Sequence, residues 1–173
     1  MKKGFTLIEI LIVMTIIGIL SAISFGAVKS GKKNLALLRS AQALATEIRR
    51  AQSMALAPKK IGENFPKSYG IYIEKTPLKI YFYADTSLPE NKYTQNDEII
   101  NDFCQFEKDL CGGEVEIDYL SPNPNVLDIV FKPPHPTIII NQNGGNLEAE
   151  IRLKSNSQTK TIKIYKSGLI SVK

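Results

Sequence analysis

From Ile10 to Val28 the chain carries no charged residue, and nearly every position is apolar or small. A run of about 19 such residues is long enough to cross a bilayer as a helix. Beyond it the spacing changes. Leu37, Ala41, Leu44, Ile48, Ala51 and Ala55 recur at steps of four and three, which marks one face of an amphipathic helix. Arg39, Glu47, Arg49 and Arg50 fall largely off that stripe, and Pro58 ends it. The two stretches together predict one helix from Phe5 to about Ala57, roughly 80 Å long at 1.5 Å per residue. Gly26 and the pair Ser30-Gly31 are its weak points, where helix propensity falls. No ordinary small domain needs a rod of that length.

From Tyr69 the period drops to two. Tyr69–Glu74 and Leu78–Tyr83 alternate around Thr76-Pro77 and predict a hairpin, with Ile71, Ile73, Ile80 and Phe82 turned toward the helix stripe. Residues 85–98 are polar and predict a solvated loop; their acidic spacing matches no EF-hand pattern. Shorter strand-like runs follow at Glu114–Leu120, Val126–Phe131 and Thr137–Asn141. Asn143-Gly144-Gly145-Asn146 is a strong turn. It feeds a strand over Leu147–Lys154, a loop over Ser155–Thr159, a strand over Lys160–Tyr165 and a last strand after Gly168. One long helix followed by several antiparallel strands describes an α+β fold, the helix packed on an antiparallel sheet.

Composition sharpens this outline only modestly. The 173 residues suit one domain on an N-terminal segment rather than two full domains. The formal charge of +5 is a mild excess that favours solubility over a polyanionic partner. Cys104 and Cys111 are the only cysteines. A disulfide between them is the natural reading if this part of the chain lies outside the cytoplasm; two free buried thiols are the alternative. A zinc site would need four good ligands, and the one histidine, His135, stands apart between Pro134 and Pro136.

The N-terminus carries the strongest signal. Lys2-Lys3 ahead of an apolar run keeps the extreme N-terminus cytoplasmic. A secretory signal peptide cut near Ser24-Phe25-Gly26, or a plain anchor, fits the run but not Glu9, because a carboxylate within such a segment is costly. Gly4-Phe5-Thr6-Leu7-Ile8-Glu9 and the apolar residues to Ala22 resemble the cleavage and methylation motif of type IV prepilins and type II secretion pseudopilins. The resemblance implies a cut between Gly4 and Phe5, N-methylation of Phe5, and Glu9 as the charge that meets an N-terminal amine during assembly. After the cut, the Phe5 ammonium and Glu9 lie four residues apart, so both can share one helix face. Loss of Lys2 and Lys3 lowers the charge from +5 to +3.

On this resemblance the chain divides into a leader (1–4), a transmembrane and filament-core helix (5–28), its amphipathic continuation (29–57) and a β-rich extracytoplasmic head (58–173). The stretch from Leu38 to Ala55 and the ending Gly168-Leu169-Ile170-Ser171-Val172 are similar to H-type minor pseudopilins and related minor pilins. The implied partners are a prepilin peptidase that is also the N-methyltransferase, other minor and major pilins or pseudopilins, and an inner-membrane assembly platform. The implied location is the cytoplasmic membrane, single-pass, and then a pilus or pseudopilus.

Nothing in the sequence points to catalysis. No phosphate loop, metal-spaced cluster or zinc-protease pattern is present, and His135 has no visible nucleophile beside it. No cofactor and no metal are expected. One face asks for a second reading. Arg152, Lys154, Lys163 and Tyr165 fall on one side of two neighbouring strands, and a basic face with an aromatic suits DNA capture by a competence filament. The plain alternative is a soluble sheet face, partly offset by Glu150.

Overall fold

The computed structural model describes residues 4, 6–61, 65–87, 91–134, 137–142 and 145–173, with the side chains of 23–30 left out of the description. Expectations on Phe5, on His135-Pro136 and on Asn143-Gly144 lie outside the described residues, as do those on the side chains of Ser24, Phe25 and Gly26.

The rod is a single helix, α1, over Leu7–Leu56, 50 residues long. At 1.5 Å per residue it measures roughly 75 Å. It stops where Pro58 removes a backbone donor, and the Ala57 N–H closes the last turn on Ser53 O at 3.1 Å. Its two halves live in different surroundings. Every large apolar side chain from Leu7 to Leu20 is at least 50% exposed. The stripe Leu37, Ala41, Leu44, Ile48, Ala51 and Ala55 is fully buried, as its spacing predicts. The buried Ser40 on the same face donates to Glu107 Oε1 at 3.0 Å, so its hydroxyl is satisfied. Among the described residues no helix is long and apolar enough to cross a membrane. Of the run from Ile10 to Val28, side chains are described only to Ala22.

Two antiparallel sheets cover the second half of α1. The first has strand order β3-β2-β1-β5-β6, from β1 (Ser68–Lys75), β2 (Leu78–Asp85), β3 (Glu98–Asp102), β5 (Val126–Lys132) and β6 (Thr137–Ile140). The second has order β4-β7-β8-β9, from β4 (Glu116–Ser121), β7 (Glu148–Ser155), β8 (Gln158–Tyr165) and β9 (Ile170–Val172). The helix touches β1 and β5 of one sheet and β7, β8 and β9 of the other. One continuous core results, with Ile71, Ile73, Ile80 and Phe82 against the helix stripe and Ala149, Ile151, Ile162 and Ile164 closing it from the second sheet.

The strands expected from periodicity are present, and the architecture is α+β. Three features go beyond the sequence reading. The head is two sheets rather than one. Strand β3 and the short helices α2 (Phe103–Phe106) and α3 (Lys108–Cys111) form where no regular element is expected. The loop expected over Ser155–Thr159 shrinks to Asn156-Ser157, because pairing continues to Ser155 opposite Gln158. Asn156 absorbs the turn with φ of 58°, a left-handed conformation that asparagine tolerates.

The outer face of the first sheet is also covered. Tyr83 on β2 stands opposite Gly70 on β1. A Cβ at Gly70 would lie 2.5 Å from the Tyr83 ring, so only glycine lets that ring lie across β1. Its hydroxyl thereby reaches β5, the next strand over, and donates to Asp128 Oδ1 at 2.7 Å.

Candidate functional site

The first site is the start of α1. Thr6 takes an extended backbone (φ −82°, ψ 152°) and caps the helix. The Glu9 amide donates to Thr6 Oγ1 at 3.4 Å, and the Thr6 amide donates to Glu9 Oε2 at 3.5 Å. This is a capping box, in which each side chain accepts from the other residue's amide; the Glu9 amide also donates to the Thr6 carbonyl at 3.2 Å. Glu9 is the acidic residue of the first turn, where the helix dipole favours negative charge. The signal for this role is Thr6-Leu7-Ile8-Glu9, which sequence reasoning passed over in favour of the glutamate's charge alone. Gly4 is exposed just ahead of the cap, and a Cβ there would meet nothing within 4 Å.

From Leu7 to Leu20, α1 then presents large apolar side chains that the described residues leave exposed. An apolar surface of this extent marks a lipid or protein interface. The geometry therefore combines an accessible glycine, a capped helix start bearing one carboxylate, and an uncovered apolar rod.

Residues 1–25 match the prokaryotic N-terminal methylation motif. The matched segment contains Gly4, Phe5 and Glu9 and ends before the amphipathic half of α1. It supports a type IV prepilin-like chain: cleavage and N-methylation by a prepilin peptidase, membrane attachment and assembly with other pilins go with the motif. The family that carries it is structural rather than enzymatic. No curated protein and no solved structure matches the chain.

In the head, the expected basic face forms, though not as a bare cationic surface. Glu150 pairs with Lys163, Arg152 with Thr161 and Glu148 with Tyr165 in the β7–β8 register, so Arg152, Lys154, Lys163 and Tyr165 do share a side. The same side also carries three glutamates. Arg152 contacts Glu150 at 2.9 Å, Lys163 contacts Glu150 at 3.4 Å and Glu148 at 3.8 Å, and Lys154 lies 3.9 Å from Glu116. Glu148 first, then Glu150, holds the Lys163 ammonium above its usual range. Arg152 also lies over the Tyr119 ring, 5.2 Å from its centre. Three cations face three carboxylates, and the field that would attract a polyanion cancels.

Cys104 and Cys111 are joined as a disulfide, with 5.4 Å between their Cα atoms. It ties α2 to α3 beside the second half of α1, where Glu107 accepts from Ser40. Asp102 starts α2 by accepting from the Cys104 amide at 3.1 Å.

Sequence reasoning missed a second polar centre. The segment after β2, expected to be solvated, instead folds back over the sheet and is held by three carboxylates. Asp97 accepts from the Ser87 hydroxyl at 2.7 Å and the Thr94 amide at 2.7 Å. Asp85 accepts from the Ser68 hydroxyl at 2.8 Å and the Asn91 amide at 2.7 Å. Asp128 accepts from Tyr83 and, at 2.9 Å, from the Tyr93 amide. Burial pushes the Asp128 carboxyl up to about 6, against the two hydrogen bonds that favour its charge; the negative charges of Asp85 and Asp97 add to the rise. Burial, then Asp128, likewise raises the Tyr83 phenol. Among the described residues no group of His, Cys, Asp and Glu is arranged to hold a metal ion.

Proposed function

We propose that the chain is a minor pilin or pseudopilin, cut after Gly4, methylated on Phe5, held in the cytoplasmic membrane by the first half of α1, and then incorporated at or near the tip of a filament. The match of residues 1–25 to the methylation motif carries this reading. The exposed apolar stretch of α1 from Leu7 to Leu20 supports it, since that surface needs lipid before assembly and neighbouring helices after it. The buried second half supports it too, because it fixes the rod rigidly to the head. Resemblance to the H-type minor pseudopilins points to a tip position in a type II secretion pseudopilus or a type IV pilus. The Cys104–Cys111 disulfide accords with a head outside the cytoplasm.

Immunogold labelling of sheared filaments tests the placement. The expected result is sparse label at filament ends. Label along the whole length, or none on filaments, overturns the minor-subunit assignment. The competence alternative, in which Arg152, Lys154, Lys163 and Tyr165 hold DNA, finds no favouring observation, because the cations on that face are ion-paired.

A further inference from the structure

The outer face of the first sheet carries a cleft of about 610 Å³ that filament assembly, as proposed, does not use. Its floor is tyrosine. Tyr72 on β1 and Tyr81 on β2 stand directly opposite one another. Tyr93, from the segment that folds back, leans on both, with ring centres 4.6 Å and 5.7 Å away. It also meets the buried Tyr83 edge-on at 5.1 Å. Tyr72, Tyr81 and Tyr93 remain half-buried, so each keeps part of its side chain at the surface.

The arrangement is fixed before any ligand arrives. The Tyr93 amide is held by Asp128 at 2.9 Å, and the neighbouring Thr94 amide is held by Asp97 at 2.7 Å. Cross-strand pairing sets the backbones of Tyr72 and Tyr81 opposite one another. A preorganised aromatic floor lowers the ordering cost of binding.

The rim decides what fits. Glu74 and Lys79 form an ion pair at 3.6 Å, and Thr94, Gln95, Lys92 and the apolar Val126 also line the wall. Because Glu74 pairs with Lys79, Lys92 is the one other cation among the described residues lining the cleft, whereas a nucleic-acid backbone needs several cations. A dry apolar ligand would strand the phenols, the amide and the carboxylate without partners. The ligand that answers both the rings and the rim is flat, neutral and rich in hydroxyls. We propose that the Tyr72–Tyr81–Tyr93 cleft is a carbohydrate-binding site that takes a neutral pyranose ring of a glycan, its C–H face on the tyrosines and its hydroxyls on Glu74, Lys79 and Gln95. This assignment stands apart from the processing of the N-terminus and holds whatever machine the chain serves.

The test uses the full-length chain in a zwitterionic detergent, since a sugar-headed detergent would compete. The chain has 7 tyrosines and no tryptophan, so tyrosine fluorescence reports on the cleft. Cellotetraose, maltotetraose and chitotetraose are titrated separately, with an oligothymidylate and a proline-rich peptide as comparators. At least one tetrasaccharide should saturate with a dissociation constant of about 0.01–1 mM, insensitive to salt. Tyr93→Ala should weaken it by at least about tenfold, as loss of a stacking ring does. Gln95→Ala, at the rim and outside the core, should weaken it with no change in the thermal transition, which separates lost binding from lost folding. No saturable signal with any tetrasaccharide overturns the proposal, and so does binding unchanged in both variants. Binding of the oligothymidylate or the peptide alone overturns it in favour of that ligand class.

Discussion

Thr6 and Glu9 hold each other reciprocally, the amide of each donating to the side chain of the other at 3.5 Å and 3.4 Å. The glutamate therefore serves the uncut chain as a helix cap. If the chain is cut after Gly4, as proposed, the same carboxylate lies four residues along the chain from a new ammonium. The two roles need different chemistry. A cap needs an acceptor oxygen, while an ion pair needs a charge.

Glu9→Gln separates them, because glutamine also completes a capping box. Processing should be normal in Glu9→Gln, Glu9→Ala and Thr6→Ala. Incorporation into sheared filaments, read by immunoblot, should fall by at least about tenfold in both Glu9 variants, since stranding one partner of a buried ion pair costs ~3–5 kcal/mol. Thr6→Ala should lose only the cap, worth about 1 kcal/mol, and assemble nearly normally. Normal assembly of Glu9→Gln would show that the oxygen, not the charge, is what matters.

Asp128 makes stability depend on pH in an unusual direction for a carboxylate. Its folded value of about 6 lies above the ordinary 3.8, so between those limits the folded state binds more protons than the unfolded chain. Stability contributed by this group is present below about pH 4 and is lost as pH rises through 6. The span is on the order of 2–3 kcal/mol. Urea unfolding at pH 4.5 and 7.5 should therefore show wild type losing stability with rising pH relative to Asp128→Asn, which cannot ionise there. Parallel pH profiles would remove Asp128 as the source.

Gly70 is needed for the Tyr83 ring to pass over β1. Gly70→Ala should destabilise the head by about 1–3 kcal/mol through overpacking. Ile48→Ala, at the centre of the helix stripe, should cost about 2–5 kcal/mol through the cavity it leaves. Chemical denaturation measures both. An unchanged midpoint for Gly70→Ala would mean that the Tyr83–Asp128 contact does not form as described.

Much of this was readable in the residues. The stripe from Leu37 to Ala55 and the alternation of Ile71, Ile73, Ile80 and Phe82 report burial directly, because helices and strands have fixed side-chain periods. The Tyr83–Asp128 contact was not readable. It spans three strands and depends on two registers and a glycine, none of which local pattern encodes. Asp85 and Asp97 look like solvated loop residues for the same reason: their partners Ser68, Asn91, Ser87 and Thr94 come together only when the segment folds back. The sidedness of Arg152, Lys154 and Lys163 follows from alternation, yet Glu148 shares that parity, and Glu116 arrives from another strand.

Those glutamates make the β7–β8 face testable. Wild type should bind duplex DNA weakly, and alanine at Arg152, Lys154 and Lys163 should change little. Glu148→Gln with Glu150→Gln should instead uncover the cations and create binding that falls steeply with salt. Strong, salt-dependent binding by the unaltered chain, lost in the triple alanine variant, would restore the DNA reading.

The mass of the mature N-terminal peptide, isolated from a host with an active prepilin peptidase, bears most directly on the central claim. The mature chain should begin at Phe5 and carry one added methyl group on its amine. A chain that keeps Met1, or one cut near Gly26, would contradict it.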